Sequence, residues 1–488
     1  MMRLEDEIKR EIDTSSDIHG IKAQLVKRGY DREDIDRAFK NVVHADGVKK
    51  DTNNARFSAK ELLDRIGYGF SSLQFINILF LLSGASFFLI GFFNGLKAAL
   101  SYFLSGFLSE YVKFKNINKT AIGLSGVVFG LSFFCMAIAA VIHSPILFAG
   151  AFIVGTIGVL AHGDSYLDFY NKTSKGEKRN FFLKFISYFG ILITAVSLLV
   201  AGFLMQSIPI NGYLLTIDFS AIGFSTLAFN VYGYLLAFVI TAVLFVVSGI
   251  ILYRIEEHLS PIQNDGAWYT FISGYIKRAN ADTKIFTKNK KVFFLMLATV
   301  VTTVVQILAN AYYGIYIYQN YQTVFWHGFL NVAIIFVIAL IASITGSMLT
   351  KSFAKTLGEA PMLVFGTLLI ALLPLTLYYN HSLYAIGLAT ALSVVGGAIV
   401  GVAQGLMAER LLDENEVKQY FSSLGFVSII PILLIVTIGS VAAQLFYIET
   451  LFLILGLILA GIVMPLYFVI VLIVNKEYNE KLKARTGK

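Results

Sequence analysis

The sequence predicts an all-α polytopic membrane protein: twelve transmembrane helices as two six-helix bundles, with a small N-terminal helical module. Hydrophobic residues make up 57% of the 488 residues and charged residues only 14%. Several stretches without Asp, Glu, Lys or Arg, such as 292–350, exceed the roughly 20 apolar residues that a spanning helix needs. A polar interval between Arg254 and Lys291 separates two apolar blocks of nearly equal length. These observations predict two matched halves joined by a linker.

We divide the chain into five segments on these patterns. Residues 1–56 are predicted to form a cytoplasmic helical module and its linker, and 57–253 the N-terminal six-helix transmembrane bundle. Residues 254–290 form a cytoplasmic linker whose segment 268–276 predicts an amphipathic helix on the membrane. Residues 291–475 form the C-terminal six-helix bundle, and 476–488 a cytoplasmic tail.

The N-terminal module shows apolar residues at four-residue spacing, which predicts short helices with one apolar face each. These residues are Leu4, Ile8, Ile12, Ile21, Leu25, Ile35 and Phe39. Gly29 predicts a helix end and Asp31 the next cap, while 47–56 reads as a polar linker. Ser58 and Glu61 predict a capping box opening a helix, 58–68, at the inner membrane surface.

The run from Ile21 to Phe39 resembles ubiquitin-associated-like helical modules with a Gly-aromatic turn. The resemblance implies a cytoplasmic protein partner for residues 1–46. The alternative is a solvated helical appendage without a partner, and the pattern leaves both open.

The spans are predicted from the apolar stretches and their turn residues. They are 70–92, 95–113, 120–142, 145–166, 181–206 and 229–253 in the first half, and 292–319, 326–350, 360–379, 382–408, 420–446 and 450–474 in the second. Of the basic residues between these spans, only Lys97 falls on an outer connection. The positive-inside rule then predicts a multi-pass protein of the cell (plasma) membrane with both termini cytoplasmic.

Charge and cysteine content exclude several function classes. The net charge is +8, but residues 1–71 hold fourteen basic and fourteen acidic residues, so the excess lies in the membrane part and the tail. We therefore expect no nucleic-acid partner. One cysteine, Cys135, excludes an intrachain disulfide and a thiolate zinc site. The sequence has no phosphate-binding loop or nucleophile elbow, so we predict no catalytic residue, metal or cofactor, and no enzyme.

The predicted second and eighth spans end alike. One reads Gly106-Phe-Leu-Ser-Glu110-Tyr-Val-Lys113, and the other Gly346-Ser-Met-Leu-Thr350-Lys351. A Gly, a polar or acidic residue four positions on, then basic residues, duplicated in both halves, resembles the loop signature of the major facilitator superfamily. Glu110 stands where Asp is usual, and Thr350 replaces the acid in the second copy.

The resemblance implies secondary active or facilitative transport of a small solute by alternating access, in contact with membrane lipids. It leaves a coupling proton or sodium ion open. It implies an inner gate formed by Gly106, Glu110, Lys113, Arg179, Gly346 and Lys351, which latches the halves together on the inner side.

The end of the predicted fourth span carries His162, Asp164 and Asp168. Ionisable groups at membrane depth are costly and are functional candidates by default, so we assign these three to ion coupling. The alternative places them at the inner interface, where Asp168 pairs with Arg179 or Lys178. Both remain open from the sequence.

The predicted seventh span places Gln306, Asn310 and Tyr313 on one helix face, at spacings of four and three. Amides at this depth need polar partners, which a wet cavity supplies. In the superfamily, spans one, four, seven and ten line the central cavity, so the resemblance adds Asn77 and Gln404. These five are the predicted solute contacts; hydrogen bonding between helices is the alternative.

Three other functions remain as alternatives. One is a lipid-linked oligosaccharide or drug flippase of another twelve-to-fourteen-span class. Another is a polytopic membrane transferase, for which only 162–168 offers a clustered His/Asp site. The third is a sensor or scaffold that acts through its N-terminal module.

Overall fold

The computed structural model describes residues 4, 8, 18–115, 118–160, 166, 169–170, 177–207, 215–218, 228–255 and 268–473. The helices are α1 (Ile18–Lys27), α2 (Arg32–Phe70), α3 (Leu73–Leu82), α4 (Phe87–Lys115), α5 (Asn118–Val141), α6 (Pro145–Leu160), α7 (Glu177–Ser207), α8 (Gly233–Tyr253), α9 (Trp268–Lys288), α10 (Lys290–Asn320), α11 (Gly328–Thr356), α12 (Glu359–Tyr379), α13 (Leu383–Leu411), α14 (Glu414–Phe446) and α15 (Ile448–Ile458). Helix α15 continues through a π-helical turn, Leu459–Val463, and its apolar stretch ends at Ile473. A small antiparallel hairpin, β1 (Leu215–Asp218) and β2 (Ala228–Val231), precedes α8.

The predicted helical membrane fold is confirmed. Ten described helices are long and apolar enough to cross a membrane, and α2 and α3 together form an eleventh, bent span, Asn53–Phe70 and Leu73–Leu82. Helix α6 stands in the place of the predicted fourth span and has 16 residues. In chain order these elements follow the predicted six-plus-six pattern, while the count of twelve stays a prediction.

The predicted first span, 70–92, is wrong, and the predicted second span, 95–113, begins eight residues too late. The first span runs from Asn53 to Leu82 and the second begins at Phe87. The predicted linker 47–56 is helical, and Ser58 lies inside α2, where its hydroxyl donates to the Asn54 carbonyl instead of capping a helix. The prediction failed because it kept charged side chains out of the membrane, whereas α2 carries them inside the bundle.

The first span bends by 46° between α2 and α3. Glycines next to serines are a common cause of such kinks, and here Gly67 and Gly69 precede Ser71. A Cβ on Gly67 would lie 2.8 Å from the Phe245 ring of α8, and one on Gly69 would lie 2.8 Å from the Leu198 backbone nitrogen of α7. Close packing therefore holds α2 against two neighbours just before the bend.

The helices form two halves, α2–α8 and α10–α15, joined by α9. Within each half, helices pack against each other in pairs, for example α5 against α8 and α12 against α13. Across the halves, α3 packs on α10, α4 on α14, and α7 on α11. We call the end of the bundle at connections 83–86, 142–144, 208–232, 321–327, 380–382 and 447 the distal end, and the opposite end, near α9, the linker end.

The linker helix α9 is longer than the predicted 268–276 and contacts both halves. Tyr275 is 7% exposed and lies 6.2 Å, centroid to centroid, from both Phe103 and Phe107 of α4. Phe286 packs edge-on against Tyr420 of α14 at 5.9 Å. Helix α9 therefore packs against both halves of the protein and does not only lie on the membrane surface.

The N-terminal module has its own small core, as the four-residue spacing predicts. Its buried residues are Leu4, Ile8, Ile21, Leu25, Ile35, Ala38 and Phe39. Gly29 has a φ of +91°, which favours glycine, and separates α1 from α2 as expected. Because α2 continues from this module into the first span, the two are joined by an unbroken helix.

Candidate functional site

Helix α4 carries a polar stripe through the membrane. Asn94, Lys97 and Ser101 follow each other at spacings of three and four, which places them on one face. Lys97 lies ten residues after Phe87, so it is about 15 Å along the helix, near the middle of a hydrocarbon core of about 30 Å. The predicted position of Lys97 in an outer connection is wrong, because α4 begins eight residues earlier than expected.

Lys97 points into a cavity of about 190 Å³ inside the first half, bounded by α2, α3, α4, α5 and α6. Its Nζ lies 5.0 Å from the centre of the Phe152 ring, within cation–π range. The other polar lining residues are Tyr68, Ser71, Ser101, Ser132 and Thr156. A single ammonium group thus faces a partly open cavity with aromatic and hydroxyl walls.

A buried charged cluster lies on α2, nearer the linker end. Lys60 Nζ is 3.1 Å from Glu61 Oε1 and 2.8 Å from Asp64 Oδ2, and all three residues are less than 10% exposed. The Lys60 ammonium also sits 3.5 Å from the centre of the Tyr166 ring. Ser248 of α8 donates a hydrogen bond to Asp64 Oδ1. The cluster thus joins spans one and six.

A second, smaller cavity of about 20 Å³ lies beside Asp64. Tyr68, Phe129 and Val159 line both this cavity and that of Lys97. A polar space of this size holds about one water molecule. The charged cluster and the lysine cavity are therefore separated by one layer of side chains.

Polar side chains join the two halves at the distal end. Gln74 Oε1 accepts from the Gly314 amide at 2.9 Å, and Asn77 Nδ2 donates to the Ala311 carbonyl at 3.1 Å. Tyr312 donates to the Phe87 carbonyl at 2.8 Å. Gln444 and Gln206 accept from the amides of Phe88 and Phe329. Each bond pairs a side chain of one half with backbone of the other.

Small residues let the halves approach closely at the same end. A Cβ on Gly95 of α4 would lie 2.8 Å from Val436 Cγ1 of α14, and one on Gly202 of α7 would lie 2.5 Å from Ala333 Cβ of α11. The distal end is therefore closed by direct helix contact as well as by hydrogen bonds. We call these contacts the distal seal.

The structure separates the five predicted solute contacts. Asn77 is 1% exposed and is engaged with α10 and with Asn94, at 2.9 Å. Tyr313 is buried and shares a hydrogen bond with Thr390, while Gln404 donates to Tyr467 at 2.7 Å. Gln306 is half-buried, with Nε2 3.9 Å from where a Cβ on Gly397 would lie, and Asn310 is exposed. Asn310 is thus the exposed member of the set, while Gln306 and Gln404 are both half-buried.

The predicted coupling residues His162, Asp164 and Asp168 lie outside the described residues. For the predicted inner gate, the helices at Gly106, Glu110, Lys113, Arg179 and Lys351 are described but their side chains are not. Gly346 is described: a Cβ there would lie 3.1 Å from Ala398 Cβ and Val395 Cα of α13. Gly346 thus packs closely against α13 within its own half, and its part in the inner gate stays a prediction.

Sequence reasoning missed Lys97 and the Lys60 cluster. The signal for Lys97 was the spacing Asn94-Lys97-Ser101, which marks one helical face. For the cluster it was Lys60, Glu61, Asp64 and Arg65 at helical spacing beside an apolar stretch. Within the described chain, no group of three His, Cys, Asp or Glu residues is placed to hold a metal ion.

No family model matches the chain, and no curated protein sequence matches it. Solved structures do. The nucleoside transporter NupG is similar with a TM-score of 0.61 and 12% identity, over 86% of this chain and 98% of that chain. A bacterial homologue of the iron transporter ferroportin, in an inward-facing state, has a TM-score of 0.59 and 13% identity, over 85% and 98%.

A proton-dependent oligopeptide transporter structure is similar with a TM-score of 0.58 and 14% identity, over 86% of this chain and 100% of that chain. Identities this low show the fold alone, and each likeness covers 85% or 86% of this chain. The chain is therefore a multi-pass membrane protein that shares the fold of these transporters.

Proposed function

We propose that the protein moves a small solute across the membrane by alternating access between its two halves. The observation that carries this proposal is the distal seal. Its bonds run from side chains of one half to backbone of the other, so they can open without breaking the hydrogen bonds inside any helix. Two bundles that meet through such contacts can rock about a site between them.

We further propose that the distal end faces outward, so that the distal seal closes the protein on its outer side. The basic residues of the connections support this assignment. With Lys97 inside α4, all the basic residues that the sequence places between spans fall on linker-end connections. The positive-inside rule then puts both termini in the cytoplasm, and we assign the protein to the cell membrane.

Gln306 and Asn310 are the proposed solute contacts of the second half. They lie on α10, where Asn310 is exposed and Gln306 is half-buried, and the Asn310 carbonyl is within 3.4 Å of Asn77 Nδ2 at the distal seal. A solute bound to this face would therefore touch the element that opens. Asn77, Tyr313 and Gln404 support this face through their bonds to neighbouring helices.

A coupling ion, proton or sodium, would act through acids inside the first half. Glu61 and Asp64 are buried in a spanning helix, where ionisable side chains are costly and tend to be functional. His162, Asp164 and Asp168 remain proposed coupling residues. The inner gate, Gly106, Glu110, Lys113, Arg179, Gly346 and Lys351, would close the linker end when the distal seal opens.

The proposal is tested by cross-linking the distal seal in proteoliposomes. In a Cys135→Ser background, Phe88→Cys and Gln444→Cys place thiols on α4 and α14, and a short bis-maleimide joins them. Uptake is measured for labelled uridine, a dipeptide and 5-aminolevulinic acid, because nucleosides, peptides and 5-aminolevulinic acid appear with similar folds. We expect uptake of one of them to fall to background after cross-linking.

Each single-cysteine variant, treated with the same reagent, is the control and should keep its uptake. Unchanged uptake through cross-linked protein would contradict alternating access. An imposed pH gradient in the same vesicles tests coupling: a stimulated rate supports a proton, and a rate that follows sodium alone moves the assignment to sodium.

A further inference from the structure

Lys97 places a charge at mid-membrane depth without a described acidic neighbour in its cavity. The described lining residues include no Asp or Glu, and the acids Glu61 and Asp64 are already paired with Lys60. A lysine at the centre of a spanning helix is costly to insert into a membrane. A group retained at that cost needs a compensating partner.

The hydroxyls around the cavity do not supply a negative charge, and the protons of its serine and threonine side chains are already in use. Ser71 donates to the Gly67 carbonyl at 2.8 Å, and Ser101 to the Lys97 carbonyl at 2.8 Å. Ser132 and Thr156 bond in the same way within α5 and α6. The Lys97 ammonium, with three N–H donors, is therefore the charged donor available to a guest.

The cavity walls limit the size and shape of that guest. A volume of about 190 Å³ holds several water molecules or a small organic solute. Phe129, Phe133 and Phe152 form much of the apolar wall, which suits a flat apolar body. One cation at the edge of an aromatic space matches a guest with one negative group and a compact apolar part.

We propose that Lys97 and its cavity form a binding site for a small monocarboxylate, with the carboxylate on Lys97 Nζ and the apolar part among the phenylalanines. As the substrate class of the transporter, this assignment rests on the proposed function. As a binding site, it is measured without transport. A carboxylate would neutralise the buried ammonium and form charge-assisted hydrogen bonds with it.

The test is equilibrium dialysis of labelled benzoate against the purified full-length protein, with benzamide, benzylamine and inorganic phosphate as competitors. Benzamide keeps the shape without the charge, benzylamine reverses the charge, and phosphate keeps a negative charge without the ring. We expect that benzoate binds and that none of the three competitors displaces it. Lys97→Met should weaken it about tenfold or more, as expected for loss of a hydrogen bond to a charged group, and Lys97→Arg should weaken it less.

Lys290→Met is the matched control, since Lys290 is an exposed lysine at the linker end. It should bind benzoate as the parent does, and the melting temperature of Lys97→Met without ligand should not fall. Equal binding of benzoate by the parent and Lys97→Met overturns the proposal, as does the absence of benzoate binding or phosphate binding alone. If benzoate binding depends on Lys97 but the vesicles take up no solute, the binding site stands and the proposed transport function is contradicted.

Discussion

Lys60 shows at the residue scale how a charge is kept inside the first half. It is 1% exposed and lies between the carboxylates of Glu61 and Asp64, beneath the Tyr166 ring. A buried ion pair adds little net stability, but removing one partner leaves an unpaired charge in a dry interior. The cluster is therefore sensitive to single changes.

We predict that Lys60→Met destabilises the protein by about 3–5 kcal/mol, because buried Asp64 loses its cation and Glu61 keeps only Arg65, whose Nε lies 3.9 Å from Glu61 Oε2. The measurement is the melting temperature in detergent by fluorescence. The double variant Lys60→Met with Asp64→Asn removes one stranded charge and should recover much of the loss. A Lys60→Met protein as stable as Lys290→Met would contradict this account of the cluster.

Single residues also show the limit of reasoning from residue type. Gln306, Asn310 and Tyr313 share a helix face as predicted, yet they differ in exposure because α13 covers Tyr313 through Thr390. The sequence does not show what the Asn77 side chain binds. In the structure it forms hydrogen bonds with Asn94 and with the backbone of α10. Type and spacing select polar positions; the neighbouring helices decide what each one meets.

At the scale of elements, α4 and α14 form the longest contact across the halves, from Phe88 beside Gln444 to Tyr102 beside Gly425. Glycines on both helices make the close approach possible. The sequence predicted a spanning helix here but began it at residue 95, because the first predicted span, 70–92, took in the residues that begin α4. The partner of α4 was not predictable, since packing between distant segments leaves little local signal.

We predict that Gly95→Ala loosens the distal seal. The new methyl group would lie 2.8 Å from Val436 Cγ1, and overpacking of this kind costs about 1–3 kcal/mol. That energy would favour distal-open molecules about fivefold or more. The measurement is labelling of Phe88→Cys, in a Cys135→Ser background, by a membrane-impermeant maleimide added from the distal side.

Gly401→Ala is the matched control, because no atom lies within 4 Å of the added Cβ. It should leave the labelling rate unchanged. If Gly95→Ala and Gly401→Ala are labelled at the same rate, close packing at Gly95 does not hold the distal end shut.

At the scale of the whole molecule, the halves share a layout but differ inside. The first half contains the Lys60 cluster and Lys97, whereas described polar pairs inside the second half, such as Gln404 with Tyr467 and Tyr313 with Thr390, are neutral. Charge within the described spans is thus concentrated in the first half. This asymmetry favours the proposed ion and anion binding in the first half and the proposed neutral solute contacts on α10.

We predict that the chain can be cut between residues 256 and 267 and still assemble when the two pieces are co-expressed. The α3–α10, α4–α14 and α7–α11 contacts hold the halves together, and α9 stays packed on α14. Co-purification through a tag on one piece is the measurement. Recovery of the tagged piece alone would count against two self-contained bundles.

We also predict that removal of residues 1–46 leaves uptake by the proteoliposomes unchanged, because the N-terminal module has a core of its own. The cut must end before Asn53, which is 4% exposed and begins the first span. Loss of uptake in a truncated protein that keeps its melting temperature would give the module a direct role, through a protein partner or otherwise.

The sequence by itself determined the membrane class, the two halves, the linker helix and nearly all spans from the third onward. These features follow from local hydrophobicity, because each segment enters lipid or stays in water according to its own composition. Only the tertiary structure decided where the first span begins, that Lys97 lies in a cavity, and that Lys60, Glu61 and Asp64 are inside. A charge can enter a membrane when neighbouring helices enclose and pair it, and that pairing depends on packing between segments far apart in the chain.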